Sequence, residues 1–194
     1  RTTVNFSTSN VFETPTEFLD FHYKYASGNR GNILDESSAY WTGLPLDQGV
    51  KAVQWNSPVD ASGNKIPTEL VSYKDNMKNF LRTGITSTNN LSVSGGNERG
   101  NYRVSYSNML HYGMIPNSDL KRNSFSTVLS YALSNKVRFS SNLNISRSNA
   151  DNRPTTSTRT ANPLEAVMAY PHVNILELKD YWNPGQENIM QRRV

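Results

Sequence analysis

Cysteine is missing altogether from this 194-residue chain, which removes disulfide scaffolds, thiolate zinc sites and cysteine nucleophiles at once. Charge is scarce as well: Asp, Glu, Lys and Arg make up 19% of residues, unlike an acidic disordered tail or a charged helical bundle. Apolar residues stop at 36%, low for a compact core, and no run of about 18 of them occurs. That excludes a membrane-crossing helix but leaves membrane-crossing strands open, because those are short and only half apolar. A net charge of +4 raises the question of nucleic acid, yet no basic stripe with interleaved aromatics exists. Lys121-Arg122 and Arg192-Arg193 are the only adjacent basic pairs, and the expectation is no nucleic-acid partner. The chain opens at Arg1 without an initiator Met and reads as part of something longer.

Catalytic signatures are equally thin. His22, His111 and His172 stand alone, without metal-ligand spacing. Gly-x-Ser-x-Gly, the P-loop, the dinucleotide fingerprint and the EF-hand loop are all absent. Asp35 and Glu36 are neighbours, and on an extended chain neighbours point apart, so paired acid/base work is not expected of them. Three glycosylation sequons, beginning at Asn5, Asn90 and Asn144, sit inside apparent strands of an Asn/Ser-rich chain and carry no argument. The reading is therefore of a non-enzyme with no cofactor and no metal.

What is present in quantity is Ser, Asn and Thr, alternating with apolar residues at a period of two. Five runs obey it, near 1–13, 87–96, 101–111, 123–133 and 136–147. Tyr102, Val104, Tyr106 and Leu110 oppose Arg103, Ser105 and Ser107, with Asn108 as a polar exception. Phe125, Thr127, Leu129, Tyr131 and Leu133 oppose Ser124, Ser126 and Ser130; Val137, Phe139, Leu143 and Ile145 oppose Arg138, Ser140, Asn142 and Asn144. Two connections are tight, Asn97-Glu98-Arg99-Gly100 and Ser134-Asn135-Lys136, and the others are longer, including 14–84 and 148–194. Short helices are predicted in the long loops over Thr68 to Leu81, with Thr68 as N-cap, and over Pro163 to Ala169, after Asn162.

An all-β fold follows, with two ways to use such unequal faces. A soluble antiparallel sandwich buries one face against a second sheet. A membrane barrel turns that face to lipid, because hydrocarbon tolerates a sheet only when every backbone group is paired. The small, neutral polar face favours the barrel, since solvent-facing sandwich strands carry more Lys and Glu. So does the alternation of short and long connections. Five strands cannot close a large barrel, so further strands are expected outside this chain.

The stretch from Tyr73 to Ser146 adds a resemblance. Asn76 to Gly84 leads into Asn90-Leu91-Ser92-Val93-Ser94-Gly95-Gly96. Tyr102-Arg103-Val104-Ser105-Tyr106 follows, then Gly113-Met114-Ile115-Pro116-Asn117 and Leu120-Lys121-Arg122-Asn123-Ser124-Phe125. In combination these phrases resemble the early barrel segment of SusC/RagA-type TonB-dependent outer-membrane transporters of Bacteroidota. The long first loop departs from that family's usual wording.

The resemblance implies part of a transmembrane β-barrel of about 22 strands in the Gram-negative outer membrane, its lumen filled by a plug that this sequence lacks. It implies import of oligosaccharides or peptides, with a SusD-like surface lipoprotein and the TonB complex as partners. Under this reading Tyr102, Val104, Tyr106, Leu129, Tyr131 and Phe139 face lipid, and Arg103, Arg138 and Arg147 face the lumen. Trp41, Trp55 and Trp182, in outer loops, are candidates for stacking on ligand. The competing reading is a soluble or surface-anchored β-sandwich that binds glycans or acts as an adhesin.

Overall fold

The computed structural model describes residues 1–18, 21–28, 34, 40–154, 162–180, 182 and 187–189. Asp35, Glu36 and the Arg192-Arg193 pair lie outside them. In chain order the elements are β1 (Thr2–Glu13), β2 (Lys51–Ala52), β3 (Thr68–Glu69), α1 (Asn76–Phe80), β4 (Gly84–Asn97), β5 (Gly100–Tyr112), β6 (Asp119–Ala132), β7 (Arg138–Asp151) and α2 (Pro163–Ala169). The chain divides into two units: residues 1–15 with 82–153, and residues 16–81 with 154–194.

The first unit is a single five-stranded sheet in the order β1-β4-β5-β6-β7, antiparallel throughout. Neighbouring strands pair without an extra residue on either side, so each row of opposed residues keeps one face from edge to edge. Several strands outrun the alternating pattern that marks them. β4 begins at Gly84 rather than near 87, β6 at Asp119 rather than near 123, and β7 continues to Asp151. The added residues, such as Lys121 and Asn149, break apolar/polar alternation yet still have cross-strand partners, so ladder hydrogen bonding extends the strands where periodicity does not.

Side chains build both turns. At β4–β5 the Asn97 carboxamide oxygen accepts from the amides of Arg99 (2.9 Å) and Gly100 (3.0 Å), which closes a two-residue loop. Neither Glu98 nor Arg99 has positive φ, so this is not the mirror-image turn common in two-residue hairpins. At β6–β7 the Ser134 hydroxyl accepts from the amides of Lys136 and Val137. The longer β5–β6 loop is held by Arg82. Its guanidinium donates to the Gly113 carbonyl (2.8 Å) and pairs with Asp119 (2.7 Å), while its amide donates to Met114.

The second unit has its own small core, Ala26, Leu46 and Leu70, with Leu34, Leu44, Val50 and Ala52 packed on it. Here the helix predicted over Thr68 to Leu81 shrinks to α1, and Thr68–Glu69 is strand instead. Pairing decides the matter. Thr68 and Glu69 face Ala52 and Lys51, the Leu70 amide donates to Val50, and the Thr68 hydroxyl accepts from the Gln54 carboxamide (2.8 Å) rather than capping a helix. α2 starts as its sequence predicts, with the Asn162 side chain accepting from the Leu164 amide (3.1 Å) and Pro163 in the first turn.

Asp47 ties this unit together at low cost in residues. At φ 59 it stands in the left-handed region that Asp tolerates, and its carboxylate accepts from the Ser72 hydroxyl (2.7 Å) and amide (2.9 Å). The Ser72 hydroxyl and then its amide hold the Asp47 carboxyl below the usual carboxylate range. Because the folded pKa is the depressed one, the stabilisation is present above the ordinary value of 3.8 and is lost as pH falls through the lower folded value. Asp47→Ala is therefore expected to cost on the order of 1 kcal/mol at neutral pH, an exposed-site figure, and progressively less as acid protonates the carboxylate. Thermal melts of the two proteins at pH 7 and pH 2.5 test this. A gap that persists unchanged in acid would refute it.

Candidate functional site: two unlike faces of one sheet

Row by row, the register sorts side chains in a way no single strand reveals. On one face Thr2, Gly95, Tyr102, Leu129 and Ser141 lie in line. The next row is Val4, Val93, Val104, Thr127 and Leu143, and the next Phe6, Leu91, Tyr106, Phe125 and Ile145. Tyr131 and Phe139 oppose each other nearest the β6–β7 turn. These residues are not covered by a second layer: Phe6 is 68% exposed, Phe139 50% and Leu143 49%. Tyr102, Tyr106, Leu129 and Tyr131 are exposed too, and Val104 is half-buried by its strand neighbours.

A polar row interrupts the apolar face. The row beyond Phe6–Ile145 is Thr8, Asn89, Asn108, Asn123 and Arg147, polar on all five strands. Thr8 donates to the Asn89 carboxamide (2.9 Å), and Asn108 donates to Asn123 (2.8 Å). The Tyr106 hydroxyl, from the row below, reaches up to the same Asn123 oxygen (2.7 Å). Asn108 is thus no lone exception to alternation but one member of a polar row. Arg147 is a correction: it shares this face with Phe125 and Ile145, not the face of Arg103 and Arg138, because antiparallel pairing puts it opposite Asn123.

The other face carries Asn5, Ser92, Ser105, Ser126 and Asn144 in one row and Ser7, Asn90, Ser107, Ser124 and Ser146 in the next. Arg103 stands beside them, opposite Ser94 and Val128, and Arg138 donates to the Ser130 hydroxyl (3.2 Å). Asn5, Asn90, Arg103, Ser92, Ser105 and Ser126 are among the residues lining a shallow, largely polar hollow of about 380 Å³. Short hydroxyls and carboxamides both donate and accept, so the surface suits water or the hydroxyls of a saccharide. Beyond the polar row the faces exchange character on β6 and β7, whereas Phe12, Ile85, Leu110 and Tyr112 on β1, β4 and β5 keep to the apolar side. Met109, Leu120 and Ala150 now lie on the serine face, while Lys121, Asn149 and Asp151 lie on the other.

On the apolar face Gly95 leaves room for a neighbouring ring. A β-carbon on Gly95 would stand 2.8–2.9 Å from the Tyr102 ring, which lies across Gly95 with its hydroxyl 3.3 Å from Thr2. Gly95→Val is expected to push the ring off and to cost about 1–3 kcal/mol. A double variant Gly95→Val/Tyr102→Ala should lose less than the sum of the single changes, and strict additivity in equilibrium unfolding would contradict the contact.

In the second unit the three tryptophans are engaged in packing. Trp55 is buried at 9% exposure, which removes it as an open stacking surface. The Trp41 indole donates to the Ala169 carbonyl (3.2 Å) and meets Phe21 edge-on at 6.3 Å; Trp182 is half-buried. His172 is buried against Tyr170, and burial raises the Tyr73 pKa, reinforced by Glu177. Among the described residues no three of His, Cys, Asp and Glu converge as a metal site would need. No described helix is long and apolar enough to cross a membrane, which says nothing of strands.

No family model matches the chain, and no curated protein matches it.

Proposed function

We propose that this chain is wall and outer-loop structure of a TonB-dependent, SusC-like nutrient transporter in the outer membrane, its sheet one arc of a large β-barrel. The observation that carries the reading is the uncovered apolar band bounded by the polar row. From Val137 to Ile145 the band runs about 26 Å along the strand, or about 20 Å along the membrane normal at a tilt of about 40°. That approaches the ~25 Å apolar belt of outer-membrane barrels. Aromatic residues gather at both limits, Tyr131 and Phe139 below and Phe6, Tyr106 and Phe125 above, as interfacial girdles do. The edges of β1 and β7 have no strand partner among the described residues, and in hydrocarbon both must be paired, so further barrel strands adjoin them.

In this reading the serine face with Arg103 and Arg138 lines the lumen, where oligosaccharide or peptide passes. Energised opening belongs to the plug and TonB, and the surface lid to a SusD-like lipoprotein. A glycan-binding sandwich would need a second sheet over the apolar rows, which the exposure of Phe6, Phe139 and Leu143 weighs against. Cell fractionation tests the reading: the protein should enter the outer-membrane fraction, need detergent for release and migrate faster on gels unheated than boiled. Purification as a monomer from plain buffer, with identical migration in both states, would sink it.

A further inference from the structure

At the end of the sheet away from the tight turns, where β6 and β7 exchange the character of their faces, a second hollow of about 480 Å³ opens beside β5, β6 and β7. Its lining includes His111, Leu120, Arg122, Ala150 and Arg153. Leu120 and Ala150 are opposed across β6 and β7 and give it an apolar floor. Its charged rim is unbalanced. Arg122 spends only its Nε, on the Ser148 hydroxyl (3.0 Å), and Arg153 has no hydrogen-bond or ion-pair partner among the described residues. The one carboxylate in the lining, Asp119, is already paired with Arg82 (2.7 Å). Two arginines therefore line one hollow, Arg122 with its two terminal nitrogens and Arg153 with its whole guanidinium unengaged among the described residues, a donor set that suits an oxyanion. The volume exceeds what a bare anion fills and falls within the range of small-molecule sites.

We propose that this cleft binds an oxyanion, held by Arg122 and Arg153, on a molecule whose less polar body rests on Leu120 and Ala150. That the oxyanion belongs to imported cargo rests on the transporter reading and would make that cargo acidic, a uronate-bearing saccharide or an acidic peptide. The binding itself does not depend on it.

The test is calorimetric titration of the purified full chain, in detergent or in buffer, whichever keeps it monodisperse. The probes are trigalacturonate, neutral galactotriose and inorganic phosphate. Trigalacturonate is expected to bind and galactotriose not to. Arg153→Gln, beyond the end of β7 and outside its ladder, and Arg122→Gln should each weaken binding about tenfold or more. Phosphate binding with the same Arg dependence would show that the oxyanion alone suffices; trigalacturonate binding without it would assign a share to the floor. Equal binding of galactotriose, indifference to both Arg changes, or no binding of either anion would overturn the proposal. Because Arg122→Gln also removes the bond to Ser148, an unchanged melting curve is required of it, and Arg153→Gln stands as the independent variant. Failure here leaves the membrane location untouched, since fractionation reads that separately.

Discussion

Leu143→Arg is expected to destabilise the sheet by about 2–4 kcal/mol when the protein is folded into a bilayer. The argument compares two environments for one exposed side chain. At 49% exposure, Leu143 in water is a surface residue whose substitution should stay within about 0.5 kcal/mol. Between Phe139 and Ile145 in hydrocarbon, the same change buries a guanidinium near mid-depth, where solvation is lost and no partner replaces it. Asn144, the next residue, points to the opposite face and faces Ser126. Asn144→Arg is therefore the matched control, expected near zero. Denaturant titration of both variants in phospholipid vesicles measures the difference, and equal small effects would place both faces in water.

Leu70→Ala is the other large change, expected to cost about 2–5 kcal/mol in the second unit. Leu70 is fully buried in the cluster with Ala26 and Leu46, its amide donates to Val50 and its carbonyl accepts from Asp47. Truncation leaves a cavity where the surrounding loops are already pinned by those bonds and can collapse only in part. All three tryptophans, Trp41, Trp55 and Trp182, fall in this unit and none in the sheet. Tryptophan fluorescence thus reports the second unit alone, while far-UV circular dichroism is weighted to the long strands. The fluorescence midpoint should fall and the dichroism midpoint should hold; equal shifts in both would contradict two units that unfold separately.

The strands themselves were legible in the sequence because alternation is a property of one strand at a time. Tyr102-Arg103-Val104-Ser105-Tyr106 declares its two faces without any neighbour. What alternation cannot show is which residues share a row, since that depends on register between strands far apart in sequence. Hence Asn108 looks like an exception beside Tyr106 and Leu110. Only its pairing with Asn89 and Asn123 reveals the polar row that interrupts the apolar face. Arg147 teaches a different lesson, because strand parity alone already places it. Its charge argues for the serine face, but its position two residues past Ile145 settles the opposite one.

In the loops the limit is different. Thr68 carries a sound helix-capping signal, yet a two-residue strand and a hydrogen bond from Gln54 outcompete it. Trp55 reads as exposed because it lies in a polar, Pro- and Gly-rich stretch, and packing buries it. The hollow at Arg122 and Arg153 was not legible either: Arg122 and Arg153 are 31 positions apart, and only the β6–β7 pairing brings them to one end of the sheet.

Because the chain has no cysteine, single cysteines can be placed along β7 from Phe139 to Ser148 without a competing thiol. Each is labelled with an environment-sensitive fluorophore and challenged, in vesicles, with a quencher attached to the acyl chains. Strong quenching is expected at positions 139, 141, 143 and 145, little at 140, 142, 144 and 146, and a loss of quenching at Arg147 where the polar row begins. Uniform weak quenching along the whole strand, or alternation that persists with no lipid present, would contradict a sheet whose apolar face lies against the membrane.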